Sequence, residues 1–346
     1  MKTVRLMVSG YGRVGRAFVE LLCNKQGTLV KQYGLDVWLT AVVDLDGAAI
    51  APEGHGLPLD LIVGSLSPGV GPSNLPEYGH AGVSVPGLVD KGVADVLVET
   101  TPTNIRDGEP GMTHITTALE HGLHVVTAAK GPLVLAFHRL HQLAAQRGAS
   151  IKFSAATAAA LPALDVGAYC LAGARILRIE GILNGTTNFI LNRMQESGEG
   201  YEATLAEAQR LGIAETDPSL DVQGWDAASK LVLLANALLG ANLMLGSLEV
   251  SGIQSISPQD VRAAAARGKV LKLVAQAEGE DGSVHGSVRV RELSTDHPLA
   301  HVMGAGKAVT YTTDTMDRVT VLGGKSDPRG AAAAILKDLI HLARKP

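Results

Sequence analysis

Three acidic residues and a lysine stand close together in the segment AETDPSLDVQGWDAASK. The acids are Glu215, Asp221 and Asp226, and the lysine is Lys230. Because Asp226 and Lys230 are four residues apart, they share one face of a predicted helix. The sequence beyond Lys230 is apolar, so this helix enters the core and the lysine is partly desolvated at its mouth. The set either donates a proton to, or orients, a polar substrate, or it is a solvated salt bridge at an acidic helix start.

Two other polar segments follow predicted strands. The first is NGTTN, residues 184–188, which leads into a helix. Its amides and hydroxyls either cap that helix or turn donors towards a ligand. The second is Lys130 in VVTAAKGP, at the carboxyl end of a predicted parallel strand. Open α/β sheets bind ligands at that edge, although a lysine on a surface loop is the common alternative.

A glycine-rich turn joins the first predicted strand to the first predicted helix. Its sequence is Gly10-Tyr11-Gly12-Arg13-Val14-Gly15. In such a turn the first glycine allows the bend, the second lets a pyrophosphate approach the backbone, and the third lets helix and strand pack closely. The helix amino end then offers N–H groups to the anion. The strand before it and the helix after it favour a dinucleotide site over a merely structural turn.

An acidic residue ends the second predicted strand. Asp44 lies 29 positions after Gly15, farther than the usual spacing, so residues 25–36 are predicted to form an extended connection. Its carboxylate can accept hydrogen bonds from the ribose hydroxyls of NAD. A second acid, Asp46, follows, and both charges disfavour a 2′-phosphate. Arg13 is a counterweight, and an acidic turn residue is the alternative. The pattern favours NAD over NADP.

The composition limits the class of protein. The 346 residues include 30 Lys and Arg against 34 Asp and Glu, a net charge of −4, and only 3% are aromatic. This excludes a basic surface that follows phosphates, and it argues against stacking of bases on aromatic rings, so no nucleic-acid partner is predicted. The two cysteines, Cys23 and Cys170, form no metal-binding pattern, which favours a reducing cytoplasm.

Strand-like and helix-like segments alternate in the first half of the chain. The predicted strands are 4–9, 37–43, 95–100, 124–129 and 150–154, and the predicted helices are 13–24, 111–121 and 133–147. Apolar strands that alternate with helices indicate an α/β fold with a Rossmann-type, doubly wound parallel sheet. Residues 47–90 are rich in Gly, Pro and Ser, and we interpret them as a loop or insertion.

The second half has a different character. Helices are predicted at 158–171, 188–194, 201–211, 226–239 and 331–343, with strands at 176–183, 270–278, 284–293 and 319–322. We therefore predict two domains. Residues 1–153 with the C-terminal helix 325–346 form a dinucleotide-binding domain, and 154–324 form an α+β catalytic and dimerisation domain. Residues 231–248 lack charges but contain Asn and Gly, so we predict a buried helix and no membrane association. The N-terminus lacks the features of a signal peptide.

Several of these segments together resemble homoserine dehydrogenase. They are GYGRVG, VETTPTN at 98–104, VVTAAKG, EGILNGTTNFIL at 180–191 and the stretch 208–230. They follow the family's order across nearly the whole chain, at the length of the short form without a regulatory domain. The resemblance implies NAD(P)-dependent interconversion of L-homoserine and L-aspartate 4-semialdehyde, in threonine and methionine biosynthesis, by a cytoplasmic homodimer.

The resemblance also implies roles for particular residues. Lys230 matches the lysine assigned to proton transfer at the substrate oxygen, and Lys130 matches a second active-site lysine beside the cofactor. The acids Glu215, Asp221 and Asp226 match those around the substrate's amino and hydroxyl groups. Gly185 and Thr186 match its substrate-contacting turn. Thr100 falls on the segment that lies along the nicotinamide.

The sequence departs from the family pattern at three places. Ala129 replaces an Asn before the active-site lysine, and Gly323-Gly324-Lys325-Ser326 replaces a nucleotide-contacting turn. The family's sodium or potassium site uses a Glu where this chain has Ser154. The backbone carbonyls of Thr157, Ala159 and Leu161 remain available to a monovalent cation, so the presence of the ion stays open.

Two other functions remain possible from the residues alone. One is an NAD(P)-dependent amino-acid dehydrogenase with the same two-domain plan, because acids suited to a substrate amino group serve it equally. The other is a non-catalytic, NAD-sensing regulator. Such a regulator would keep the turn from Gly10 to Gly15 without needing Lys230, so the complete acid and lysine set argues against it.

Overall fold

The computed structural model describes residues 1–280, 283–324 and 327–344. The chain forms two compact units, Met1–Ala159 with Asp327–Pro346, and Ala160–Ser326. Within the described ranges, no helix combines the length and the apolar character that crossing a membrane requires.

The first unit alternates strands and helices, as the sequence predicts. Its elements are β1 (Lys2–Ser9), α1 (Arg13–Tyr33), β2 (Leu35–Asp44), β3 (Gly47–Ile50), α2 (Leu59–Ser65), β4 (Gly79–Ala81), α3 (Val85–Val89), β5 (Val96–Glu99), α4 (Gly111–Glu120), β6 (His124–Thr127), α5 (Gly131–Gln146), β7 (Ile151–Lys152), α6 (Ser154–Thr157) and, from the end of the chain, α13 (Pro328–Ala343).

The strands of the first unit form one sheet in the order β4-β3-β2-β1-β5-β6-β7. The strands from β2 to β7 in this order are parallel, and β3 and β4 add an antiparallel edge. The strand order reverses between β1 and β5, which is the switch point where such sheets bind ligands. The predicted doubly wound α/β fold is confirmed.

The first helix is longer than predicted. Residues 25–33 continue α1, so the prediction of an extended connection at 25–36 is wrong. The helix ends at Gly34, whose φ of 63° places it in the left-handed region, and its N–H bonds the Val30 carbonyl at 3.1 Å. Gly27 inside the helix looks like a breaker in the sequence. These additional turns account for the long spacing between Gly15 and Asp44.

Of the two interpretations of residues 47–90, a loop or an insertion, the loop is wrong. This region contains β3, α2, β4 and α3, each of seven residues or fewer. Elements that short have too few positions to show a hydrophobic period. Their pairing is close: a Cβ on Gly47 would lie 2.2 Å from the His80 carbonyl oxygen.

The C-terminal helix α13 belongs to the core of the first unit. Ala332, Ile335 and Leu339 are fully buried in the same cluster as Leu6, Phe18 and other residues of β1 and α1. An amphipathic helix needs an apolar surface to cover. The surface that α13 covers belongs to the first elements of the chain.

The second unit has an α+β arrangement, as predicted. Its elements are α7 (Ala163–Asp165), β8 (Ile176–Ile182), α8 (Gly185–Ser197), α9 (Tyr201–Arg210), α10 (Ser219–Val222), α11 (Trp225–Leu238), β9 (Glu249–Val250), α12 (Pro258–Ala266), β10 (Lys269–Glu280), β11 (Ser283–Ser294), β12 (Lys307–Thr313) and β13 (Arg318–Gly323). The sheet order is β13-β12-β8-β10-β11-β9. The strands are antiparallel except for the β11–β9 pair.

One predicted helix of this half is interrupted. The sequence predicts a helix at 158–171, but α6 ends at Thr157 and α7 begins at Ala163. Ala159 has a φ of 54°, which an L-residue adopts at a cost. Pro162 has no N–H to donate. A helix through these residues is therefore excluded by the backbone.

Candidate active site

The glycine turn lies at the carboxyl end of β1, at the switch point of the first sheet. Gly10 has a φ of 83°, and a Cβ on it would lie 2.7 Å from the Thr101 backbone nitrogen. A Cβ on Gly15 would lie 2.1 Å from the Gly10 carbonyl oxygen. These two positions therefore accept only glycine without a backbone shift.

Gly12 differs from the other two glycines of the turn. Within the described part of the chain, no atom lies within 4 Å of a Cβ built on Gly12, and no side chain caps the amino end of α1. Its first turn carries no acidic residue, while Arg13 is exposed and Val14 is half-buried. This open space at the amino end of α1 fits a pyrophosphate.

Asp44 lies directly against the glycine turn. One of its carboxylate oxygens accepts from the Tyr11 backbone N–H at 2.9 Å, and the other accepts from the Leu45 N–H at 2.8 Å. Asp46 is directed elsewhere and accepts from the backbone N–H of Ser73 at 3.1 Å. Of the two acids that the sequence analysis considered, Asp44 is thus the one beside the glycine turn.

Thr100 connects the end of β5 to the glycine turn. Its hydroxyl donates to the Gly10 carbonyl at 2.6 Å, with the Ser9 carbonyl at 3.0 Å. Lys130 follows β6 and precedes α5. The Lys130 backbone N–H lies 3.4 Å from the Thr103 hydroxyl, and the residue is half-buried. Both residues stand at the carboxyl edge of the parallel sheet.

Asn184 links the polar residues of the second unit. As the N-cap of α8, its side-chain oxygen accepts from the Thr187 N–H at 2.9 Å. Its amide nitrogen donates to Asp221 at 2.7 Å and to Asp226 at 2.8 Å. The same side chain therefore caps a helix and holds two carboxylates. The N-cap interpretation of the NGTTN segment is confirmed for Asn184, whereas its amide donors are directed to carboxylates of the protein.

Lys230 and Asp226 form a close ion pair at the start of α11. The ammonium lies 2.5 Å from an Asp226 oxygen, and both side chains are only 14% exposed. The ammonium also donates to the Leu183 carbonyl at 2.9 Å. The pair is therefore largely buried, and the alternative of a solvated salt bridge is wrong.

The second carboxylate of this cluster has a perturbed acidity. Burial raises the pKa of Asp221, and the neighbouring charge of Asp226 raises it further. Lys230, Asn184 and Thr186 act in the opposite direction, by charge and by hydrogen bonding. An additional cation close to Asp221 would be bound favourably for the same reason.

The remaining predicted substrate residues lie at the edges of this cluster. Gly185 and Thr186 are buried in the first turn of α8, and the Thr186 hydroxyl donates to the Ile213 carbonyl at 3.1 Å. Glu215 is an exposed residue just beyond, and its backbone carbonyl accepts from Gln209 at 3.2 Å. The structure brings together Asp221, Asp226 and Lys230, with Glu215 on the neighbouring surface segment.

Ser154, which replaces the family's acidic cation ligand, is bound to the C-terminal helix. Its backbone N–H and hydroxyl donate to the Asp338 carboxylate at 2.9 and 2.8 Å, and Lys337 donates to the hydroxyl at 2.7 Å. Among residues 1–280, 283–324 and 327–344, no three His, Cys, Asp or Glu residues are arranged to hold a metal ion. In the Gly323–Ser326 turn, Lys325 and Ser326 lie outside the described residues.

Two family models match the chain. Residues 10–154 match the homoserine dehydrogenase NAD binding domain, and residues 162–340 match homoserine dehydrogenase. A homoserine dehydrogenase of Methanocaldococcus jannaschii is 37% identical over 337 residues, covering 97% of this chain and 98% of the relative.

The chain belongs to the homoserine dehydrogenase family. The NAD(+)-dependent homoserine dehydrogenase of Pseudomonas canavaninivorans is 35% identical over 99% of this chain and 97% of its own length. The solved structure of a hyperthermophilic archaeal homoserine dehydrogenase mutant in complex with NADPH has a TM-score of 0.85 and 28% identity. The match covers 100% of this chain and 99% of that one. The resemblance to homoserine dehydrogenase seen in the sequence is confirmed.

The sequence predicts no role for Glu99 and His114, and it does not predict the contacts that Asn184 makes with two acids. Asn184 lies in the NGTTN segment, but its link to two acids 37 and 42 positions away is tertiary. Glu99 is fully buried and lies 2.9 Å from His114 of α4. An acid inside an apolar strand was the available signal for Glu99, and His114 gave none.

Proposed function

We propose that this protein is a homoserine dehydrogenase that interconverts L-homoserine and L-aspartate 4-semialdehyde with a nicotinamide cofactor. The buried cluster of Asn184, Asp221, Asp226 and Lys230 carries this proposal. It combines carboxylates that suit an ammonium group with a lysine that suits an alcohol or aldehyde oxygen. Membership in the homoserine dehydrogenase family supports it.

The acids hold the amino group of the substrate. Asp221 is a half-buried carboxylate whose pKa is raised by burial and by Asp226. A substrate ammonium close to it would offset both effects. We assign Gly185 and Thr186, in the first turn of α8, to contact with the substrate, and Glu215 to the same amino and hydroxyl region.

Lys230 moves the proton at the substrate oxygen. The described residues provide its ammonium with two acceptors, Asp226 and the Leu183 carbonyl. We propose that its third N–H meets the substrate oxygen. When bound, the nicotinamide supplies the two-electron acceptor or donor for the substrate carbon. During reduction Lys230 stabilises the charge that develops on the oxygen and donates a proton to it. Lys130 is assigned as the second active-site lysine.

The residues of the first unit fit a dinucleotide. Gly12 leaves room for the pyrophosphate, and Asp44 is placed to accept from ribose hydroxyls. Thr100 and Lys130, at the sheet edge, are assigned to the nicotinamide side, and Arg13 and Val14 to the phosphate side. Asp44 and the NAD(+)-dependent relative favour NAD. The NADPH complex of the archaeal neighbour keeps NADP as the alternative.

A coupled set of assays tests the activity. Purified protein is incubated with NAD or NADP and L-homoserine, and formation of the reduced cofactor is followed by absorbance. We expect turnover with L-homoserine and not with a panel of other amino acids and simple alcohols. Turnover with another amino acid alone would indicate the amino-acid dehydrogenase alternative. Cofactor binding without turnover of any substrate would indicate the regulator.

The monovalent cation is tested separately. Ser154 stands where the family has a charged cation ligand. Its neutral hydroxyl is already hydrogen-bonded to Asp338 and Lys337. The activity is measured with sodium, potassium or tetramethylammonium chloride at constant ionic strength. Loss of activity in tetramethylammonium would support an ion bound by backbone carbonyls. Equal activity in all three salts would exclude it.

We further propose a cytoplasmic homodimer that serves threonine and methionine biosynthesis. The second unit exposes apolar side chains, including Leu322 on β13, which is 63% exposed. Such residues suit burial against a second copy. Light scattering should give twice the chain mass of 35.9 kDa, and the monomer mass would contradict the dimer. Growth of a homoserine auxotroph on expression of the chain would support the pathway.

A further inference from the structure

Glu99 is a carboxylate with no exposure to solvent at the carboxyl end of β5. One oxygen accepts from the Thr101 backbone N–H at 2.8 Å and also from the Thr101 hydroxyl. The other oxygen lies 2.9 Å from Nδ1 of His114. A buried carboxylate costs free energy unless it is paired and hydrogen-bonded. Both oxygens of Glu99 have hydrogen-bond partners, so this acid is held in place at the sheet edge.

His114 connects Glu99 to the first strand. When the Glu99 carboxylate is ionised it only accepts, so the hydrogen bond then runs from Nδ1–H of His114 to Glu99. The same Nδ1 lies 3.1 Å from the Ser9 hydroxyl, at the end of β1. Glu99 and His114 therefore link β5, the first turns of α4 and β1. These are the elements on both sides of the switch point, where α/β sheets bind their ligands.

The turn between Glu99 and Thr101 is packed directly against the glycine turn. The Thr100 hydroxyl donates to the Gly10 carbonyl, and there is no room for a Cβ between Gly10 and Thr101. A displacement of Thr101 would therefore move Thr100, whereas Asp44 is bonded to the backbone of Tyr11 and Leu45 instead. Glu99 prevents that displacement with two hydrogen bonds to Thr101.

We propose that Glu99 and His114 are positioning residues for the nicotinamide half of the cofactor. They fix the Thr100–Thr101 turn, while the adenosine half is held at Gly12 and Asp44 without their help. This inference rests on the proposed function in one respect, the assignment of Thr100 to the nicotinamide side. It predicts that removal of the pair weakens binding of the whole cofactor but not binding of its ADP-ribose part.

The test compares NADH with ADP-ribose, which lacks the nicotinamide ring. His114→Leu removes the donor, and His114→Asn keeps an N–H close to the position of Nδ1. Glu99→Gln replaces the charged acceptor by a neutral amide with almost no change in shape, so the charged hydrogen bond to His114 is lost. His121→Asn, at the exposed end of the same helix, is the matched control. Dissociation constants are measured by calorimetry on the full-length protein, together with kcat and the KM for L-homoserine.

We expect His114→Leu and Glu99→Gln to raise the dissociation constant of NADH about tenfold, the scale of one charged hydrogen bond. The constant for ADP-ribose should change by less than about twofold, and kcat should fall. His114→Asn should restore NADH binding. Equally weakened binding of NADH and ADP-ribose, or unchanged binding of both, would overturn the inference. If Glu99→Gln does not fold, the two His114 variants still decide. If wild-type protein binds NADH without oxidising homoserine, the proposed function fails while this test remains valid.

Discussion

At the scale of single residues, the proposed substrate site consists of charged groups held in place by one amide side chain and one backbone carbonyl. Asn184 holds Asp221 and Asp226, and the Leu183 carbonyl holds Lys230. Because the chain has only twelve Phe, Trp and Tyr rings, we propose that recognition of a small zwitterion rests on these charges. Single substitutions in the cluster should therefore affect turnover and cofactor binding separately.

Substitution of Lys230 should abolish most of the turnover. Lys230→Ala removes the proposed proton donor, so we expect kcat to fall by about 10²–10⁴-fold, the usual scale of general acid catalysis. The dissociation constant of NADH should stay close to that of the wild type. Steady-state kinetics and calorimetry measure the two quantities. Lys269→Ala, at a lysine with a 43% exposed side chain, is the control, and near-normal kcat in Lys230→Ala would refute the role.

Substitution of Asp44 should change the cofactor preference. Asp44→Ser removes the carboxylate that would accept from the ribose hydroxyls of NAD and repel a 2′-phosphate. We expect the ratio of kcat/KM for NAD to that for NADP to fall by at least about tenfold. Asp46→Asn is the matched control, because Asp46 binds Ser73 instead. An unchanged ratio in Asp44→Ser would contradict the ribose assignment.

At the scale of elements, close backbone approaches fix where the turns lie. The joint between β1 and α1 needs Gly15 for packing, whereas Gly12 is open. A buried side chain also fixes how two elements pack, because Lys272 of β10 is fully buried. Its ammonium donates to the side-chain oxygens of Asn188 and Asn192 and to the Val302 carbonyl at 3.2, 2.6 and 2.6 Å. It thereby fastens α8 to β10.

Two glycine substitutions should separate packing from ligand binding. Gly15→Ala places a Cβ 2.1 Å from the Gly10 oxygen, so we expect a lower Tm and a loss of roughly 1–3 kcal/mol in unfolding free energy. Gly12→Ala meets open space, so its Tm should match that of the wild type while NADH binding weakens. Thermal unfolding and calorimetry measure both variants. Normal NADH binding by Gly12→Ala would contradict the placement of the pyrophosphate beside Gly12.

Lys272 should give the protein a distinctive dependence of stability on pH. Burial lowers the pKa of Lys272 from 10.5 to about 8, while the charge of Glu196 acts in the opposite direction. Between these values the unfolded chain binds a proton that the folded chain does not. The unfolding free energy of the wild type should therefore rise with pH in this window, relative to Lys272→Met, by up to ~3 kcal/mol.

Urea unfolding at about pH 7 and about pH 10 measures this difference. Groups that titrate alike in both proteins cancel in the comparison. A wild-type curve parallel to that of Lys272→Met would contradict the lowered pKa.

At the scale of the whole molecule, the chain leaves its first unit and returns to it at the end. The C-terminal helix α13 buries Ala332, Ile335 and Leu339 in the core formed by β1 and α1. It also provides Asp338, which binds Ser154 and is 2% exposed. The stability of the first unit therefore depends on α13, at the end of the chain.

Truncation after residue 326 tests this dependence. Removal of α13 exposes several buried aliphatic side chains, at ~1.5–3 kcal/mol for each fully buried one. We expect the truncated protein to lose NADH binding. Its first unit should unfold and bind a dye that fluoresces on exposed hydrophobic surface. Ile335→Asp should have the same direction of effect, and Lys337→Ala on the same helix is a milder control. Unchanged NADH affinity after truncation would show that α13 is dispensable.

The sequence by itself determined the parallel αβ alternation, the glycine turn and the acid and lysine segment. These are local patterns, in which residue spacing reflects helix and strand geometry directly. It misplaced the end of α1 because a helix can continue through Gly27 when its apolar face is packed, and it overlooked the short elements at 47–90.

Only the tertiary structure decided which polar residues meet. Asn184 reaches acids some forty positions away, His114 pairs with Glu99 across a loop, and Lys272 is neutralised by no carboxylate among the partners described for it. The cost of burying such groups is met by partners brought from distant elements. Since sequence spacing carries no record of those partners, their roles follow from packing alone.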